Sequence, residues 1–147
     1  MVEDKIVAIV QARMSSSRLP GKVLLPLCGQ PVILGILQRV QQCELISDVV
    51  LATSLERSDD PLVKVVEGAG FPVVRGELSD VLARFGRVAE HYPARHYIRV
   101  TGDCPFIDPK LIHELITGII DSEADYGSNA IEPTLPDGFD CEIFSNA

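Results

Sequence analysis

Positive charge is scarce in this chain: 13 Lys and Arg stand against 21 Asp and Glu, for a formal net charge of -8. A balance so acidic excludes a broad nucleic-acid-binding face, which needs clustered cations. Long apolar runs are missing too. The N-terminal run Ile6-Val7-Ala8-Ile9-Val10 follows Glu3, Asp4 and Lys5 and is too short for the apolar region of a signal peptide, and no segment reaches the length of a membrane span. A cytoplasmic protein with no membrane partner is expected. Cys28, Cys43, Cys104 and Cys141 form no CxxC pair and have no His-x-x-x-His companion, so reduced thiols are expected rather than a zinc site or a disulfide framework.

Several catalytic signatures are also lacking. The first apolar run is not followed by GxGxxG, and position 16, where a P-loop ending at Gly21-Lys22 needs glycine, is Ser16. Ser15, Ser16 and Ser17 lack the GxSxG elbow and a nearby base. His91, His96 and His113 have no triad-like company and read as helix-surface or core residues.

What is there is a regular alternation of apolar runs and amphipathic stretches. At 147 residues and 46% hydrophobic the chain can bury one sizeable core, and with no repeat, low-complexity tract or linker it reads as a single domain over 1–147. Strands are expected over 5–12, 47–53, 72–75 and 96–101. Between them lie helices: 31–43, opened by Pro31; one opened by Asp60 as cap and Pro61, ending near Gly68 or Gly70; one carrying Leu78, Val81, Leu82, Phe85, Val88 and Ala89; and one after Asp108-Pro109. The third of these is expected to turn Arg84, Arg87 and Glu90 to water. This βαβαβαβα order predicts an α/β fold with a mostly parallel sheet covered on both faces. Beyond Asp121, residues 126–129 and 139–144 are expected as short strands around a turn-rich segment, forming an antiparallel edge or a lid.

Chemistry concentrates in three places. Arg13-Met14-Ser15-Ser16-Ser17-Arg18-Leu19-Pro20-Gly21-Lys22 leaves the first strand, where an open α/β sheet binds ligands. It reads either as a solvated loop or as a phosphate receptor, in which guanidinium forks, an ammonium and turn N–H groups neutralise phosphate oxygens. Arg99-Val100-Thr101-Gly102-Asp103-Cys104-Pro105 ends a later strand, making Asp103 either an Asx-turn residue or a ligand for Mg²⁺. The tail brings Asn129, Asp137, Asp140 and Glu142 together, either to hydrogen-bond a polyhydroxylated substrate or as an edge strand with Phe139, Cys141 and Ile143 inward and Asp140 and Glu142 outward. Asp80, at a helix start, reads first as a stabiliser of that helix N-terminus.

Taken in order, the run Gln11–Lys22, Leu51-Ala52-Thr53-Ser54, Arg75-Gly76 ahead of Asp80-Val81-Leu82-Ala83-Arg84-Phe85, and Thr101-Gly102-Asp103-Cys104-Pro105 resemble the CTP-dependent sugar cytidylyltransferases. The resemblance runs from about Lys5 to Ser145 and is strongest to the spore coat polysaccharide biosynthesis protein F-like branch, related to enzymes that make CMP-sialic acid, CMP-pseudaminic acid and CMP-Kdo. It implies a nucleotide-diphosphosugar transferase fold, a Rossmann-like three-layer αβα sandwich. It also implies transfer of CMP from CTP to an acidic sugar of nonulosonic type, with release of pyrophosphate, for surface polysaccharide. By resemblance Arg13, Arg18 and Lys22 hold the CTP phosphates, Ala12, Ser15 and Thr101 lie near the nucleotide, and Thr53, Arg75 and Asp80 approach base or ribose. Asp103 binds Mg²⁺, and Asn129, Gly138, Asp140 and Glu142 line the sugar pocket. Family members continue past position 147 with a dimerisation arm and a second acidic metal ligand, so the chain reads as a shortened relative. Two alternatives accompany this reading: a nucleotide-binding module without turnover, and a nucleotidyltransferase with another base or sugar preference.

Overall fold

The computed structural model describes residues 5–146. Its centre is the run that opened the sequence reading: β1 (Ile6–Gln11) is buried from end to end except for its last residue, as a central parallel strand must be. It pairs in parallel with β4 (Asp48–Ser54) on one side and β6 (His96–Thr101) on the other. The six-stranded sheet runs β5-β4-β1-β6-β8-β7, where β5 is Val73–Gly76, β7 Tyr126–Ser128 and β8 Glu142–Ser145. Both pairings of β8 are antiparallel, so the tail forms the expected antiparallel edge, not a lid. A two-stranded ribbon absent from the sequence reading, β2 (Pro26–Leu27) with β3 (Gln30–Pro31), turns through Cys28 and Gly29, both at positive φ.

The pleat sends alternate residues of β1 to two cores. Ile6, Ala8 and Val10 meet α1 (Val32–Gln41), α2 (Asp60–Gly68) and α4 (Pro109–Ser122); Val7 and Ile9 face α3 (Val81–His91). Three helices therefore cover one face and one covers the other, which makes three αβα layers. The described helices include none long and apolar enough to cross a membrane.

Two local expectations are corrected. Asp60 does not cap α2: a 3-10 turn over Arg57–Asp59 runs straight into the helix, and Asp60 instead pairs with Arg75 at 2.8 Å. Arg84 is not on a wet face. It is 2% exposed, because α3 packs against β5 and β4 and the Arg84 stem fills the space above Gly76. The caps Asp80 and Asp108 are as expected, accepting from Ala83 N at 2.8 Å and Lys110 N at 2.7 Å.

Candidate active site

Topology decides where a ligand can bind. The chain leaves β1 toward β4 and β5, then crosses back to lay β6 on the opposite side of β1, so the strand order reverses between β1 and β6. Loops leaving such a reversal point in opposite directions open a crevice beyond the strand ends. Gln11 is in register with Thr101, and the loops starting at Ala12 and Gly102 therefore depart side by side. Their approach is close: Gly102 N donates to Gln11 O at 2.8 Å, and a Cβ on Gly102 would stand 2.9 Å from Ala12 Cβ. Only glycine permits that contact.

The crevice is an open cleft of about 230 Å³. Five cations, Arg13, Arg18, Lys22, Arg84 and Arg99, line it against one carboxylate, Asp103. In a chain this acidic, such local inversion of sign marks an anion site. The basic loop is shaped by its own backbone. Gly21 N and Ser16 N both donate to Met14 O, at 2.8 and 2.9 Å, and Gly21 sits at φ 72, which aims Lys22 back toward the cleft.

A buried carboxylate that sequence reasoning missed anchors this loop to the sheet. Asp59 is fully buried; its Oδ1 accepts from Met14 N at 2.7 Å, and its Oδ2 accepts from Thr53 Oγ1 at 3.1 Å, Ser54 N at 3.2 Å and Ser54 Oγ. In sequence Asp59 merely precedes the Asp60-Pro61 helix opening, and its long-range partner, 45 residues away, leaves no local signal.

Across the cleft, Asp103 Oδ2 stands 3.9 Å from Lys22 Nζ, and Thr101 Oγ1 donates to Asp103 Oδ1. The Thr101 hydroxyl is the main cause holding the Asp103 carboxyl below the usual range; Lys22 adds to it and partial burial opposes it. Behind them Arg99, also missed, donates to Gln11 Oε1 at 3.2 Å and to Glu142 Oε2 at 2.7 Å, while Tyr126 Oη donates to Glu142 Oε1 at 3.2 Å. An arginine inside a β-run is the signal that could have found it.

The anticipated site residues divide clearly. Ala12, Arg13, Arg18, Lys22, Thr101 and Asp103 come together on the cleft. Ser15 is exposed outside its lining, which takes Ser16 and Ser17 instead. Thr53 is wholly buried and spends its hydroxyl on Asp59. The Arg75 guanidinium braces the segment after β4, donating to Ser54 O at 2.7 Å and Glu56 O at 2.9 Å beside its pair with Asp60. Asp80 caps α3. Of the tail residues, Asn129 clamps the β7–β8 connection, accepting from Cys141 N and donating to Phe139 O, each at 2.9 Å. Gly138 turns at φ 100 against Phe106, Asp140 is exposed, and Glu142 reaches the cleft wall through Arg99. Inward Cys141 and Ile143 and outward Asp140 match the edge-strand alternation, whereas Glu142 is only half-buried.

The profile of the family described as Cytidylyltransferase matches residues 7–135. The chain belongs to the cytidylyltransferase family. It is 41% identical over 127 residues to the spore coat polysaccharide biosynthesis protein SpsF of Bacillus subtilis, covering 84% of this chain and 53% of that protein. It is 33% identical over 121 residues to a 3-deoxy-manno-octulosonate cytidylyltransferase of Geobacter sulfurreducens, covering 81% of this chain and 47% of the relative. The chain thus spans about half the length of these relatives. Among solved structures, a cytidylyltransferase from Leptospira borgpetersenii superposes with a TM-score of 0.91 at 31% identity, over 96% of this chain and 60% of that one. A CMP:2-keto-3-deoxy-manno-octonic acid synthetase complexed with CTP gives 0.74 at 30% identity, over 84% of this chain and 51% of the other. These cytidylyltransferases carry the same α/β fold with a mostly parallel sheet.

Proposed function

We propose that this cytidylyltransferase-family chain binds CTP in the cleft between β1 and β6 and serves the transfer of CMP to an acidic sugar of nonulosonic type, for surface polysaccharide. The observation that carries the reading is the basic loop Arg13–Lys22 set across the reversal point from Asp103. A similar synthetase complexed with CTP and a relative in spore coat polysaccharide biosynthesis support the choice of nucleotide and product class.

The chemistry asked of such a site is mainly positional. A hydroxyl of the sugar attacks the α-phosphorus of CTP in line, a new P–O bond forms as the hydroxyl proton passes to solvent, the bond to the β-phosphate oxygen breaks, and pyrophosphate leaves with the electron pair. Arg13, Arg18 and Lys22 would neutralise the phosphate oxygens as charge shifts to the leaving group. Asn129, Gly138, Asp140 and Glu142 would face the sugar. Thr53, Arg75 and Asp80 would bear on base and ribose indirectly, by bracing the segments that border the nucleotide.

Mg²⁺ belongs to this proposal, and the residues present fit it in one respect: Asp103 offers an ionised carboxylate on the cleft. Among the described residues no three His, Cys, Asp or Glu gather as a ready-made ligand set, so nucleotide phosphates would complete the coordination, as is common for this ion. When bound, it would lessen the negative charge on the phosphates. A cytoplasmic setting and a homodimer are part of the same proposal.

The single-carboxylate cleft also favours a second reading, a nucleotide-binding module without turnover. Pyrophosphate release with CTP, Mg²⁺ and a panel of acidic sugars, run beside calorimetric titration of CTP, separates the two. Release supports the transferase, binding without release supports the module, and neither defeats both. In the first case Lys22→Ala should slow release by about 10²-fold or more, as loss of a charge-stabilising donor does.

A further inference from the structure

Arg84 stands apart from the other cations of the cleft. Arg13 and Arg18 are exposed and solvated, whereas Arg84 is 2% exposed. Among the described residues its Nε is buried without a hydrogen-bond partner, and the four ion pairs do not include it. Leaving a buried charged donor unsatisfied is costly, and where a native structure keeps one it serves a functional role, holds strain or meets a water or ion. The surroundings are built for this arginine. Gly76, at the end of β5, leaves the room its stem occupies: a Cβ there would stand 2.6 Å from Arg84 Cγ. Burial and the neighbouring Arg13 both disfavour the charged guanidinium, with Asp59 and Asp80 opposing from beyond ion-pair distance. Two like charges bordering one cleft call for an anion between them.

We propose that Arg84 is a phosphate-contacting residue, donating from the cleft-lining end of its guanidinium to an oxygen of the nucleotide's phosphate chain, with Arg13 as the second cation on that anion. This rests on the reading of the cleft as a CTP site. A planar fork held rigid by burial suits a phosphate oxygen, and the ligand's negative charge removes the repulsion that the empty cleft carries.

The test is titration of wild type, Arg84→Met and Arg84→Lys with three probes, CTP, pyrophosphate and cytidine, together with thermal melting of each free protein. Methionine keeps the apolar stem and removes the charge. Arg84→Met should weaken CTP and pyrophosphate by roughly tenfold to a hundredfold, the range of a hydrogen bond to a charged group, and leave cytidine unchanged. Its free form should melt no lower than wild type, because an unpaired buried charge has been removed. Arg84→Lys should recover part of the pyrophosphate affinity. The proposal is overturned if Arg84→Met binds CTP as wild type does, or if cytidine weakens as much as CTP, which would make the contact one to base or ribose. It is equally overturned if both variants melt well below wild type, which would make Arg84 a structural residue. Wild type that binds none of the three probes removes the reading of the cleft along with the proposal, whereas wild-type binding that the variants match removes the proposal alone.

Discussion

Asp59 Oδ1 accepts a hydrogen bond from Met14 N at 2.7 Å, tying the start of the basic loop to the turn that follows β4. The carboxylate is wholly buried and also takes Thr53 and Ser54 as donors, so one side chain sets the position of two segments that border the cleft. The loop's cations therefore project from a fixed base rather than a free strand end, which is what positioning of phosphates requires.

Replacing Asp59 with Ala should strand those donors in the interior. The expected loss is about 3 kcal/mol, the upper end for unsatisfied buried groups, and a melting midpoint lower by roughly 10 °C. Below the transition, CTP affinity should also drop, because the loop base is released. A variant that melts as wild type does would show that the hydrogen bonds are dispensable.

Thr101→Val removes the hydroxyl that does most to keep the Asp103 carboxyl below the usual range. In wild type the charged carboxylate is favoured in the folded protein, and this contribution is lost only as pH falls through the lowered value. Without the hydroxyl that value rises, so, with Asp103 in the proposed role of Mg²⁺ ligand, the acid limb of CTP binding measured with Mg²⁺ should move to higher pH. Binding isotherms between pH 3 and 7 read it directly, and coincident limbs for the two proteins would refute it.

Gly102→Ala tests the closeness of the two loops. The added Cβ would meet Ala12 Cβ at 2.9 Å and Gln11 O at 3.3 Å, so β1 and β6 must part at their carboxyl ends. Overpacking of this kind costs about 1–3 kcal/mol. The cleft should lose CTP affinity beyond what the loss of stability explains, measured by titration well below the melting transition. Unaltered affinity would mean that the approach of the two strand ends does not shape the site.

His96 lies at the other end of β6, far from the cleft, and is 6% exposed. Burial, aided by Arg95 and opposed by Asp125, holds its imidazolium pKa below the ordinary 6.5. The unfolded chain therefore binds a proton in a pH window where the folded chain does not, and stability rises with pH across it. Acidification from pH 7.5 toward 5 should lower the melting midpoint, and His96→Gln should flatten that slope. An equal slope in both proteins would assign the acid sensitivity elsewhere.

Much of this fold was readable from local pattern. The β-runs at 6–11, 48–54 and 96–101 carry apolar residues at their buried positions, and Asp108-Pro109 and Asp80 mark helix starts, because strand burial and helix capping depend on near neighbours in the chain. The cations Arg13, Arg18 and Lys22 and the carboxylate Asp103 were legible for the same reason, all lying in the segments that leave β1 and β6. Arg84 and Asp59 were not, and Arg99 showed only as an arginine inside a β-run. On α3 Arg84 stands three residues after Val81 and four before Val88, at the margin of the apolar stripe, and it is the packing of α3 on β5 that encloses it over Gly76.

By itself, the sequence determined the alternation of elements, the reversal-prone α/β class, the basic loop after the first strand and the kinship with cytidylyltransferases. Periodicity, capping and motif order are properties of neighbours along a chain, and the chain carries them openly. Tertiary structure alone decided which side of β1 receives β6, and so where the crevice opens; it also decided that Asp59 anchors the basic loop and that Arg84 is buried with Nε unpaired. These are consequences of burial between segments distant in sequence, where packing in three dimensions, not local preference, sets which polar atoms find partners.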